Sequence, residues 1–268
     1  MDTRFWGPSG WKFLHVLAQD ASRCRKTVEW LKLLPYVLPC KYCRASLHDY
    51  YEIQPLSNEL FCNPDTAGKW MYDIHNRVNE KLRGQGLLTE KNPSWPDVRK
   101  RYRTIYSGLC NTSPLIGWDF MTSIAFTTPS ANDTPVPMQD APEQQSDWSS
   151  LDIATRNRYN LLTYKERLAK FATWWKLIPS ILPCSSWRRS WTASMKRAGE
   201  PPLSGGREAM MQWMWKIEEG VCSSLQCEMP HSSFPSLHAL MRRVESKCSS
   251  SRKGKTCRSK SVRRTRKK

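Results

Sequence analysis

Apolar positions in the first 108 residues recur every three to four residues and seldom alternate. Trp11, Leu14, His15 and Ala18 share one helical face, and Val28, Leu31, Leu34 and Leu38 make a second amphipathic run. Pro39 closes that run, and another helix is expected to open at Cys40. A longer helix is predicted from about Thr66 to Arg83, with Trp70, Ile74, Val78 and Leu82 on its buried stripe. A fifth starts near "NPSWPDV" and carries Val98, Tyr102, Ile105 and Tyr106. The pattern predicts an all-α chain with short connections, a helical bundle. It breaks at "TTPSANDTPVPMQDAPEQQSDWSS", Thr127 to Ser150, which has four prolines, four acids and no Lys or Arg. A disordered insertion is expected there, over about 127–157, before helical periodicity resumes from Leu161 to Val244.

The two helical stretches repeat each other. "EWLKLLPYVLPCKYCRASL" aligns with "TWWKLIPSILPCSSWRRSW" at an offset of 144, matching Trp30/Trp174, Pro39/Pro183, Cys40/Cys184 and Arg44/Arg188 among others. "KWMYDIHNRVNEKL" aligns with "QWMWKIEEGVCSSL" at an offset of 143. "NPSWPDVRKRY" and "GWKFLHVLA" find partners in "FPSLHALMRRV" and "GWDFMTSIA". Four blocks in the same order mark a duplicated helical unit. The matched residues are packing and helix-boundary types. The polar residues of the first copy are lost from the second: His15 becomes Thr122, Cys43 becomes Trp187, His75 becomes Glu218, Asn76 becomes Glu219 and Asn79 becomes Cys222. An active first domain is expected over 1–110, and a degenerate second over 111–247.

Charge adds a third region. Of the net charge of +18, +12 lies from Arg242 to Lys268, where thirteen Lys or Arg face one acid, Glu245. Residues 248–268 are expected to form a disordered basic tail. It suits nucleic acid or another acidic surface, or serves as a solvated sorting or solubility tail. The N-terminus has no basic stretch ahead of a long apolar core, and no run of about 18 apolar residues occurs, so neither a secretory signal nor a membrane span is expected.

Ten cysteines are many for a chain of 268 residues, yet only Cys40 and Cys43 are two residues apart. Cys222/Cys227 and Cys248/Cys257 are looser pairs, and Cys24, Cys62, Cys110 and Cys184 have no close partner in sequence. A CxxC at a helix start suits redox work, because helix N–H groups and the dipole stabilise a thiolate. Zinc is the competing use. Cys40, Cys43 and His48 begin a C-x2-C-x4-H pattern, but the next position for a knuckle ligand is Ile53 and no second CxxC exists. No metal is therefore expected. A thioredoxin-like unit would need a strand beside the CxxC, and its neighbourhood reads as helical. "IHNRVN" places His75 and Asn79 on one helix face, and with Asn76, His15, Trp6 and Gly7 they could wrap a flat aromatic ligand.

"WGPSGWKFLH", "LLPYVLPCKYC" and "WMYDIHNRVNEKL" together resemble the Erv/ALR family of FAD-dependent sulfhydryl oxidases, over about residues 4–107. The resemblance implies a small helical bundle, four helices plus a short fifth, cradling FAD. It implies that Cys40 exchanges with an incoming dithiol, that Cys43 meets the flavin, and that O2 receives the electrons as H2O2. The matched positions for FAD are Trp6, Gly7, Trp11, His15, Tyr42, His75, Asn76, Val78, Asn79 and Leu82. The partner would be a dithiol protein or thioredoxin-like substrate. Two departures stand out. Tyr72 replaces a cysteine used by many members in a structural disulfide, so that staple is expected to be absent. The family's "LGK" reads Leu82-Arg83-Gly84, leaving Arg83 or Lys91 as the candidate phosphate cation.

Family members commonly pair as dimers of bundles, so the second copy is expected to form an intrachain pseudo-dimer, with higher oligomers left open. The compact form resembles oxidases of large DNA viruses, placing it in host cytoplasm or virion; the mitochondrial intermembrane space or another eukaryotic compartment is the other setting. The competing class is a non-enzymatic nucleic-acid-binding or scaffold protein with a structural CxxC.

Overall fold

The computed structural model describes residues 1–112, 114–133, 135–143 and 148–245, with the side chains of 111 and 112 left aside. The described residues are helical, with no strand among them. The first half contains α1 (Thr3–Leu17), α2 (Cys24–Leu31), α3 (Leu34–Val37), α4 (Lys41–Ile53), α5 (Asn58–Phe61), α6 (Pro64–Gly84) and α7 (Trp95–Thr112). The second contains α8 (Trp118–Phe126), α9 (Ile153–Arg158), α10 (Tyr164–Ile181), α11 (Ser185–Ala198), α12 (Gly206–Leu225) and α13 (Phe234–Glu245).

Local chemistry sets the helix starts. Asp2 caps α1 by accepting from the Arg4 backbone N–H at 2.9 Å. Asn63 caps α6 from the Asp65 N–H at 2.8 Å, with Pro64 at the first helical position, where its missing N–H costs nothing. Thr163 and Glu166 form a reciprocal capping box on α10. Cys40 is extended at the mouth of α4, and its carbonyl accepts from the Cys43 and Arg44 N–H groups, each at 3.0 Å. Pro39 disfavours helix at the residue before it, so the turn into α4 falls at the first cysteine.

Among the described residues, two disulfides tie the helices. Cys24–Cys62 joins α2 to the segment after α5, and Cys110–Cys184 joins α7 to the mouth of α11. Neither pairing was visible from spacing, because their separations of 38 and 74 residues carry no local signal. Cys184, the counterpart of Cys40, is held in a bridge beside the fully buried Trp187.

The core runs through both halves. α1 crosses α8 at a close approach: a methyl on Gly10 would meet the Phe120 ring at 3.0 Å, and one on Gly117 would meet Phe13 at the same distance. Trp30 stacks on Trp174 with centroids 5.0 Å apart. Trp174 meets Trp175 edge-on at 4.7 Å, and Trp175 meets Trp213 at 5.4 Å.

The stretch expected to be disordered over about 127–157 holds structure in its described parts. It contains α9 and a single 3-10 turn at Trp148–Ser150. Met138 N–H donates to Tyr159 O at 2.9 Å, and Lys41 Nζ donates to Val136 O at 3.1 Å. Asn157 is buried and donates to Pro35 O at 2.9 Å. Proline content made this stretch look loose; side-chain bonds to its carbonyls hold it, and composition does not display those. The basic tail lies outside the described residues. Among them, no helix is long and apolar enough to cross a membrane.

Candidate active site

α1, α4 and α6 enclose a cavity of about 790 Å³, closed at one end by α7 and by Phe120 from α8. The one-face spacing along α1 and α6 brings Trp6, Gly7 and Trp11 opposite His75, Val78, Asn79 and Leu82, and α4 adds Tyr42 and Cys43. His15, Asn76 and Cys40 are not on the wall. His15 stands behind it, with Nε2 3.1 Å from His75 Nδ1, so one ring donates and the other accepts. Cys40 is 7% exposed, whereas Cys43 is half-buried at the cavity edge. The cysteine expected to meet substrate is thus the less open of the two.

The polar residues form one stacked array. Trp11 lies flat on His75 at 3.9 Å and 8°, and Tyr102 lies flat on His15 at 4.3 Å and 9°. Burial pulls both histidines down, His15 to about 3 with His75 and Arg101 adding to the effect, and His75 to about 4. Both are therefore neutral at neutral pH, which suits a wall facing a flat uncharged ring system.

This depression has a pH consequence. The unfolded chain takes up protons below about pH 6.5, while the folded histidines resist until about 4 and 3. Their contribution is complete above 6.5 and is lost as pH falls, at up to about 1.4 kcal/mol per pH unit for each histidine. Glu218 acts in the opposite sense, since burial and then Asp119 raise its carboxyl to about 8. The comparison with His15→Phe isolates the effect: thermal melts from pH 7 to 4.5 should show the variant gaining on wild type as pH falls. Parallel melting curves would show that His15 is not the depressed group.

Several cavity residues escaped the sequence reading. Lys81, Ser46, Tyr50, Arg101 and Tyr102 line the wall, and Lys81 Nζ donates to Ser46 Oγ. Lys81 sits two residues after Asn79 and so was legible in principle. Arg101 was hidden in a run of basic residues on α7 whose facing depends on packing. The expected cation, Arg83, is turned elsewhere: its Nη1 donates to Glu90 O at 3.1 Å and Asn92 Oδ1 at 3.0 Å, and neither it nor Lys91 lines the cavity. Asn92 Oδ1 also accepts from Asn79 Nδ2, which orients that side chain. His48 Nδ1 lies 3.6 Å from Asp49 and 3.8 Å from Glu52.

Residues 8–102 match the model of the Erv1 / Alr family. That stretch is an Erv1/Alr domain. It is 28% identical over 103 residues to an FAD-linked sulfhydryl oxidase of African swine fever virus (isolate Pig/Kenya/KEN-50/1950), covering 36% of this chain and 79% of the viral protein. The Warthog/Namibia/Wart80/1980 isolate's protein matches at the same identity and coverage. The mitochondrial FAD-linked sulfhydryl oxidase ERV1 of Saccharomyces cerevisiae is 27% identical over 88 residues, 31% of this chain and 45% of the yeast protein. No solved structure matches the chain. The Erv1/Alr domain contains all of α4 and α6 and most of α1, so it carries Cys40, Cys43, Trp11, His15, His75 and Asn79 together.

Proposed function

We propose that the protein is an FAD-dependent sulfhydryl oxidase that makes disulfides in dithiol substrates, a partner protein or thioredoxin-like chain. The observation that carries this reading is Cys43 on the wall of the same cavity as the Trp11–His75 stack. The cavity volume lies in the range of cofactor sites. Its walls are aromatic or apolar along most of their length, with the neutral imidazole of His75 and Asn79 as polar edges, while Arg101 and Lys81 offer positive charge for a diphosphate. The residues present fit FAD: Trp6, Gly7, Trp11, Tyr42, His75, Val78, Asn79 and Leu82 would hold it, with His15 supporting His75 from behind. Asn76 is not among the residues that line the cavity.

In this mechanism a substrate thiolate attacks Cys40 of the Cys40–Cys43 disulfide, and Cys43 leaves as a thiolate. The second substrate thiol attacks the mixed disulfide, releasing oxidised substrate and leaving both cysteines reduced. Cys43 stands at the cavity edge to deliver the two electrons. FAD held there would supply the two-electron acceptor and the route to O2, with H2O2 as the product. The array of His75 and His15 holds position without adding positive charge.

The second half is read as a degenerate Erv-like bundle that takes a partner subunit's place. What supports this is reciprocity at matched positions. Gly10 meets Phe120 while Gly117 meets Phe13, and Trp30 stacks on its own counterpart, Trp174. Arg44 donates to Leu38 O, as Arg188 does to Leu182 O. Trp187 fills the place of Cys43. The viral and mitochondrial relatives support either a virus-infected cytoplasm or the intermembrane space as its setting.

Purified protein should be yellow, and the released chromophore should be FAD. Colourless protein that takes up no added FAD would overturn the oxidase reading and leave a scaffold role.

A further inference from the structure

The residues around Cys40 and Cys43 come from both halves of the chain. Arg44 lies one turn beyond Cys40, and its guanidinium folds back over the helix start to donate to Leu38 O at 2.9 Å. Its other nitrogen donates to Asn160 Oδ1 at 2.8 Å. Asn160 sits in the loop between α9 and α10, largely buried, with φ at +60°. Asparagine adopts the left-handed region more readily than other residues with a side chain, and here it ends α9, with Leu161 N–H donating to Arg156 O at 2.7 Å. Asn160 Oδ1 also accepts from Arg167 Nη1 at 3.2 Å, and two guanidinium donors identify that atom as the oxygen. On the other side, Asn160 Nδ2 donates to Val136 O at 2.9 Å. The same carbonyl accepts from Lys41 Nζ, the side chain that follows Cys40, and Lys41 also reaches Pro137 O at 3.5 Å.

We propose that Asn160 is a positioning residue of the redox couple, holding Arg44 beside Cys40 and the Val136–Pro137 stretch beside Lys41. Without that acceptor, Arg44 would keep only its bond to Leu38 O, and its buried guanidinium would face that of half-buried Arg167 with no oxygen between them. Burial, and then Arg167, pull the Arg44 guanidinium down, while charge on Cys40 and Cys43 pulls it back up. The attraction is mutual. A fixed cation beside the couple favours the thiolate, therefore the dithiol over the disulfide, and makes the couple more oxidising. The second half of the chain thus sets the oxidising strength of a site that lies in the first.

The inference rests on reading Cys40 and Cys43 as a redox couple, but its test needs neither flavin nor O2. The protein is equilibrated with glutathione, so that dithiol and oxidised glutathione exchange for the protein disulfide and two reduced glutathiones. The reduced fraction of the Cys40–Cys43 peptide is then read by alkylation and mass spectrometry. Asn160→Gly removes the side chain, and glycine accepts the left-handed backbone without strain, so the fold is kept. The equilibrium constant for forming the protein disulfide is expected to rise about tenfold, which is about 30 mV for two electrons, while Tm falls because Arg44 and Arg167 lose a shared acceptor. Arg44→Met should match or exceed that shift, and carries the test if Asn160→Gly does not fold. An unchanged constant in a folded variant overturns the proposal. A wild-type couple that does not exchange with glutathione at all would instead overturn the redox reading on which it stands.

Discussion

Cys43→Ser protein is expected to keep its fold and its yellow colour while oxidase turnover falls by roughly a thousandfold or more, the scale seen when a reacting nucleophile is removed. Serine fills almost the same volume at the cavity edge, so the wall formed by Trp11, His75 and Leu82 should still close on the flavin. It cannot form the disulfide that accepts substrate electrons, nor hand electrons onward. O2 consumption with dithiothreitol is the measurement, and turnover near the wild-type rate would remove Cys43 from the electron path. Run in reverse, the Cys40 thiolate of the same variant attacks the disulfide of an oxidised substrate and releases one substrate thiolate, and Cys43 is no longer there to resolve the mixed disulfide. Mass spectrometry of the species trapped on Cys40 would then name the substrate dithiol.

Trp174→Ala is expected to cost about 3–5 kcal/mol, the usual penalty for hollowing out a large aromatic in a packed core. Trp174 is wholly buried and touches three aromatic rings: Trp30 at 5.0 Å, Trp175 at 4.7 Å and Phe120 at 6.3 Å. For a chain of this size the melting temperature should fall by roughly 10 °C. The consequence reaches the site. Phe120 forms part of the cavity wall and packs against Trp6 at 5.9 Å, so loosening Trp174 releases one side of the flavin pocket. Scanning calorimetry reads the first effect and flavin retained after gel filtration the second. A stable variant that keeps its flavin would mean that the second half packs beside the site without shaping it.

These expectations separate what is local from what is not. Helix positions were legible because periodicity, proline placement and capping residues act within a few residues of one another. The longer helix expected from about Thr66 to Arg83 is α6, Pro64–Gly84, and the break at Pro39 leads into α4. The CxxC was legible for the same reason, since two cysteines one turn apart at a helix start are already a chemical unit. The sequence points to a duplication because packing residues leave an imprint when polar ones are replaced. The two disulfides were not, because Cys24, Cys62, Cys110 and Cys184 meet only after distant helices pack. Arg83 looked like the cation for the cofactor by its place after Asn79, yet its side chain is drawn away by Asn92 and Glu90.

By itself the sequence determined the helical character of the described residues and a CxxC accompanied by aromatic and imidazole side chains in the first half. Only the tertiary structure decided that His15 stands behind His75 instead of on the wall, that Phe120 closes the cavity from the other half, and that Asn160 reaches Arg44 beside the cysteines. The physical reason is range. Periodicity and capping are set by neighbours in sequence, whereas the facing of a ring, the burial of a guanidinium and the path of a proline-rich segment depend on surfaces that folding brings together.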